Sequence, residues 1–357
     1  MKNIFKILAV SALVTVISLS AYAGNDDRRG TAGAPELLIN PWARSAGWGG
    51  VNTACARGLD AFFMNVAGLA FVENTEFAYT NTLYLGGKNG LVSGATINSF
   101  GLAKSIFEQK GVLGCYVMAM SFGTLDITTV EAPEPGTSGT FTPSYMNMNV
   151  AYAHNFTSSI HGGVNFKVIT ESTDNISASG IGIDAGIQYV TGEESELKFG
   201  ISLKNIGPAL SFGGTGLSIQ YVNNAGNNTT VEYRAAEMEL PTCLNIGMSY
   251  DFLFEKWDQR FTLAGNFTSN AFLKDNYVIG GEYSLLERFQ VRCGYVYQKN
   301  LFSQDNRTTF NTGLSAGASF IIPLSQEKKS SALVIDYSYR SAYPMKGTHA
   351  IGASIKL

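Results

Sequence analysis

About fourteen stretches of this chain alternate residue by residue between apolar and small or polar side chains, and this period of two constrains the fold more than any other feature. The stretch "ALVIDYSYR" (332–340) sets Leu333, Ile335, Tyr337 and Tyr339 against Val334, Asp336, Ser338 and Arg340. The same alternation runs through "GIGIDAGIQYV" (180–190), "LKFGISLKN" (197–205), "LNIGMSYDF" (244–252), "FQVRCGYVY" (289–297) and "HAIGASIKL" (349–357). It recurs in 146–156, 160–170, 259–268, 277–285 and 310–320, and more weakly in 76–85, 91–104 and 113–122. Successive side chains of a strand point to opposite faces, so each stretch reads as a strand with one oily face. Most have the length of about nine to eleven residues that a tilted membrane strand needs.

A soluble β-sandwich also alternates, but its polar faces meet bulk water and carry many charges. Here charged residues are only 15% of the chain, against about 25% in soluble domains. The polar parity is mostly Gly, Ser and Asn, and the chain holds 39 Gly, 17 Tyr and 22 Phe. Small inward residues suit the crowded interior of a closed barrel, and strands ending in Tyr or Phe suit an interfacial girdle. The pattern predicts an all-β fold, a transmembrane antiparallel β-barrel of about 14 strands over 76–357, with its oily faces against membrane lipid. The longest connections, 123–144, 207–240 and 298–309, follow odd-numbered strands, which places them outside the cell if the N-terminus is periplasmic. The net charge of −3 and the lack of a basic cluster argue against a nucleic-acid partner.

The N-terminal part reads differently. Lys2 and Lys6, an apolar run from Ile7 to Leu19 and Ala21-Tyr22-Ala23 read as a signal peptide over 1–23, cleaved near Ala23. Export without an apolar helix points to the outer membrane of a Gram-negative cell. Residues 24–75 do not alternate. They open polar and continue through "PWARSAGWGGVNTACARGLDAFFMNVAGLAF", dense in Gly and Ala. A barrel of this size has a lumen too wide for its own side chains to fill, so this segment is expected to fold into the lumen as a plug. Cys55, Cys115, Cys243 and Cys293 lie far apart without metal-ligand spacing, and His154, His161 and His349 form no ligand set. No metal or other cofactor is called for. No convincing pairing of Ser or Cys with His and Asp marks an enzyme.

The run Leu37-Leu38-Ile39-Asn40-Pro41-Trp42-Ala43-Arg44, then Gly47-Trp48-Gly49-Gly50, Asp60 and Asn65-Val66-Ala67-Gly68-Leu69-Ala70, resembles the PorV/PorQ family of FadL-like outer-membrane barrels of the Bacteroidota type IX secretion system. Further similar stretches are "KNIGPALSF" (204–212), "ELPTCLNIGMSYDF" (239–252) and "GGEYSLLERFQVRCGYVY" (280–297). Val66 stands where the family pattern has Pro, and Trp42 where the PorV branch tends to carry an acidic residue. The resemblance assigns Arg44, Gly49, Gly50, Asp60, Asn65, Ala67 and Gly68 to the plug. It implies an adaptor that binds a large translocon barrel and the C-terminal domains of secreted cargo, and hands cargo to a surface attachment complex that includes a sortase. Recognition would then lie in the long loops, where Phe141, Phe212, Tyr221 and Tyr233 are candidate anchors. The alternative is a FadL-like transporter of hydrophobic small molecules. That route needs an apolar pocket near the extracellular half, and the small polar inward parity favours the adaptor.

Overall fold

The computed structural model describes residues 26–86, 95–107, 110–222, 226–303, 306–325 and 331–357. The signal-peptide reading of 1–23 and the start of the 91–104 stretch lie outside the described residues.

Among the described residues, alternation in the sequence becomes strand in each of the expected stretches. The strands are β1 (Thr75–Tyr84), β2 (Ala95–Ile106), β3 (Gly111–Ser121), β4 (Ser144–Asn155), β5 (Ile160–Thr173), β6 (Ile176–Thr191) and β7 (Leu197–Ile206). The second half holds β8 (Cys243–Phe254), β9 (Gln259–Asn270), β10 (Asn276–Leu285), β11 (Phe289–Gln298), β12 (Asn311–Pro323), β13 (Ala332–Ala342) and β14 (Thr348–Lys356). Each pairs antiparallel with its chain neighbours, and β14 returns to β1, so the 14 strands close with no edge. Closure matters because an unpaired strand edge in hydrocarbon leaves backbone donors and acceptors without partners.

The two faces sort as the period of two requires. On β13, Ile335 and Tyr337 are outward and exposed, while Val334, Asp336 and Ser338 are buried. The oily parity of the opening stretch therefore faces outward, toward lipid. Cys115 and Cys293 also point outward, Cys243 is buried, Cys55 is half-buried, and the four thiols are unpaired. The long connections cluster at one end of the barrel, where two of them form small ribbons, Leu125–Asp126 with Thr140–Phe141 and Ser218–Val222 with Asn228–Glu232. At that same end β5 and β6 run on past the membrane-strand length, to Thr173 and from Ile176, and join at Asp174-Asn175. The alternation marks only their membrane portion.

Residues 26–74 lie inside the barrel as a chain of short turns and helices, including Pro35–Leu38, Ala43–Gly47, Ala61–Met64 and Val66–Phe71. Their interior is mostly apolar. Trp42, Leu59, Phe62, Met64 and Leu69 are buried with Ile97, Tyr116 and Met118 of the wall. Trp42 and Phe62 rings both tilt against Tyr116, with centroids 5.6 and 5.1 Å away.

Candidate functional site

The inner wall explains the glycines of the polar parity. A Cβ on Gly186 of β6 would stand 2.0 Å from the Asn65 side-chain oxygen, and one on Gly294 of β11 would stand 2.1 Å from the Trp48 carbonyl. Gly163 of β5 and Gly200 of β7 meet the backbone of Val66 and Thr53 in the same way. The wall is glycine where the backbone of the inserted segment lies directly on it.

Polar contacts then fix the segment. The Asn65 side-chain amide donates to the carbonyls of Thr53 (3.0 Å) and Ile187 (3.0 Å), and its oxygen caps the turn Val66–Phe71 by accepting from the Ala67 amide. Gln188 donates to the carbonyls of Ala56 and Thr53, and Asn155 to that of Ala70. Asp60 accepts from the Ser45 amide and from the Asn52 side chain. Burial pushes the Asp60 carboxyl up, and the Ser45 hydrogen bond and Arg44 charge oppose that rise. Arg44 reaches Glu282 at 3.5 Å, which also pairs with Arg292 at 3.0 Å and Arg260 at 3.5 Å. Arg292 continues to Asp336. Gly49 (φ +68°) and Gly50 (φ +75°) adopt the left-handed backbone that glycine tolerates, and a Cβ on Gly68 would stand 2.0 Å from the Ala56 carbonyl. Ala67 is fully buried. All seven residues that the resemblance assigned to the plug thus lie in the inserted segment.

The long-loop aromatics separate. Phe212 packs against the buried core, and Phe141 sits half-buried in its two-residue ribbon. Tyr221 and Tyr233 stand well exposed, beside Ile219, Val222 and Val231 of the same ribbon.

A cavity of about 470 Å³ lies between the inserted segment and the wall, lined by strand residues from the long-loop end. This is within the range of about 300–1,000 Å³ usual for small-molecule sites. Leu38, Ile39, Phe63 and Met64 of the insert, with Tyr84, Met120 and Phe122 of the wall, give it an apolar side. Asn245, Asn270, Gln298 and Asn311 give it a polar one. Two cations line it. Most buried inner-wall cations are ion-paired: Lys167 with Asp184 at 2.7 Å, and Lys198 with Asp251. Lys204 is 5% exposed and lies 3.7 Å from the centroid of the Phe63 ring; it forms no ion pair within 4 Å among the described residues, and the carboxylate nearest in charge, Asp184, is already paired with Lys167. Arg340 is half-buried, and its Nε is buried without a hydrogen-bond partner. It too forms no ion pair among the described residues.

Alternation could assign both cations to the inner face but could not show that they share one cavity. The same reading underestimated the apolar content of the lumen, because the apolar side of the cavity comes largely from the non-alternating insert and from strand ends. One motif in letters, Gly313-Leu314-Ser315-Ala316-Gly317, matches the G-x-S-x-G of hydrolases. Ser315 lies within β12 rather than at a strand-to-helix turn, and its hydroxyl donates to the Gly294 carbonyl at 3.1 Å.

No protein-family model and no curated protein matches the chain. Solved structures do. The CymD monoaromatic hydrocarbon channel matches with a TM-score of 0.56 at 14% identity, over 89% of this chain and 97% of that one. The Pseudomonas putida toluene transporter TodX matches with a TM-score of 0.53 at 11% identity, over 87% and 97%. At these identities the likeness is one of fold, and it bears out the expected closed antiparallel barrel of 14 strands.

Proposed function

We propose that this protein is a non-enzymatic outer-membrane channel that admits small hydrophobic molecules from its long-loop side, and that it prefers molecules carrying an acidic group. The observation that carries this reading is the cavity above the insert, apolar on one side and lined by Lys204 and Arg340, neither of which forms an ion pair within 4 Å among the described residues. A cation drawn out of water without a close carboxylate is under-compensated, and an acidic ligand would supply the counter-charge. The neighbouring structures, described as a monoaromatic hydrocarbon channel and a toluene transporter, support the hydrophobic part of the reading. The test is calorimetric titration of the detergent-solubilised protein with toluene and with a medium-chain carboxylate. Both should bind, and Arg340→Gln should weaken the carboxylate by tenfold or more while leaving toluene unchanged. A protein that binds neither ligand overturns the proposal.

A second reading, an adaptor of type IX secretion, has its own observation. The ribbon Ser218–Val222 with Asn228–Glu232 presents Ile219, Tyr221, Val222 and Val231 to solvent. Exposed aromatic and aliphatic side chains of this kind serve as anchors for a protein partner. On this reading a large translocon barrel, cargo C-terminal domains and the surface attachment complex would copurify with the tagged chain from native envelopes. A lone barrel carrying small hydrophobic ligands would exclude the adaptor and support the channel.

A further inference from the structure

The outer face of the barrel breaks its own rule at one place. Asn81 of β1 and Asn98 of β2 stand directly opposite each other in the strand ladder, and both side chains are exposed on the lipid side. No other Asn, Gln, Asp or Glu of the 14 strands is exposed. Lys104 lies on the same face of β2, close to the short turn that ends the strand, and Asn98 stands six residues above it. For a strand tilted about 40° that is a height of about 15 Å, inside an apolar band about 25 Å tall.

The Asn98 side-chain oxygen accepts from the Tyr79 hydroxyl at 2.7 Å and from the Asn81 side-chain amide at 2.9 Å. The Asn98 amide is left as a donor and the Asn81 oxygen as an acceptor, and neither has a partner among the described residues. Hydrocarbon supplies no partner for them either, so both groups carry an uncompensated loss of water. A donor on one strand and an acceptor on the next are self-complementary. Under a two-fold axis along the membrane normal, the Asn98 amide of each copy meets the Asn81 oxygen of the other, and both bonds form together. The surroundings permit that approach. Ala119 is the ladder partner of Asn98 on β3, and Ala353 that of Tyr79 on β14. Small side chains let two membrane surfaces come close, while Phe77, Leu83 and Phe100 stand exposed around the pair, ready to be covered.

We propose that the outer face of β1 and β2 is the two-fold interface of a homodimer, held within the apolar band by reciprocal hydrogen bonds between Asn98 and Asn81. A second copy is the occupant because one pair of residues, used twice, supplies both missing partners.

The test uses the full chain in native envelopes. With Cys115→Ser and Cys293→Ser removing the outward thiols, Ala119→Cys should be joined to a second copy by a short bismaleimide. Ile246→Cys, outward on β8 half-way round the barrel, should not be. Adding Asn81→Leu and Asn98→Leu to the Ala119→Cys chain should cut the yield of cross-linked dimer tenfold or more. Leucine suits a lipid-facing position, so that chain should still assemble. If it does not, the contrast between Ala119→Cys and Ile246→Cys decides the matter. Light scattering of the native chain extracted in mild detergent should give the mass of two copies. A monomer by both measurements would overturn the proposal. So would a dimer that the leucine variants leave intact, or a product that joins the chain only to a different polypeptide.

Discussion

At the scale of single residues, the inner wall is governed by how closely two backbones approach. Gly294 and Gly186 are small because the carbonyl of Trp48 and the side chain of Asn65 occupy the space a methyl would need. Overpacking of this kind costs about 1–3 kcal/mol when a neighbour can yield, and more when backbone must move. Gly294→Ala should therefore loosen the insert, seen as faster protease cleavage within 26–74 and a lower unfolding temperature. Gly213→Ala is the control, since nothing lies within 4 Å of its added methyl, and it should leave both measurements unchanged. In the sequence these glycines are legible as small and inward. Their partners are not, because close approach between Gly294 and Trp48 joins segments that no local pattern connects.

At the scale of the strand, the alternation predicts tolerance as well as geometry. Ile335→Arg places a charge on the lipid face and should cost about 2–4 kcal/mol near the midplane, lowering the yield of folded barrel in membranes. From sequence alone, Val334→Arg would point into the lumen and be better tolerated than Ile335→Arg. The structure changes that expectation. Val334 is 3% exposed and lies with Trp42, Ala43 and Arg44 around a small cavity of about 40 Å³. An arginine there meets Arg44 and the packed insert, so Val334→Arg should also destabilise the protein, but by displacing the insert. Protease sensitivity within 26–74 separates the two variants: raised in Val334→Arg, and unchanged in the Ile335→Arg molecules that do assemble.

At the scale of the whole molecule, the insert turns a wide barrel into a closed one with a cavity above its floor. Glu282 is the centre of its electrostatic lock, shared by Arg44 of the insert and by Arg260 and Arg292 of the wall. Removing one member of a buried ion-pair network costs about 3–5 kcal/mol because the remaining charges are left unpaired. In planar bilayers the native protein should show no steady open-pore current, and Glu282→Ala should add frequent openings as the three arginines repel. A steady current from the native protein would mean that the insert does not seal the lumen.

By itself the sequence determined the number, order and facing of the strands, because side-chain period and membrane thickness act locally and leave their mark residue by residue. The dense small residues of 24–75 also pointed to close packing. Only the tertiary structure decided where that packing occurs and that Lys204 and Arg340 share a cavity. Each of those contacts joins residues distant along the chain, and closure of the barrel around the insert is what brings them together.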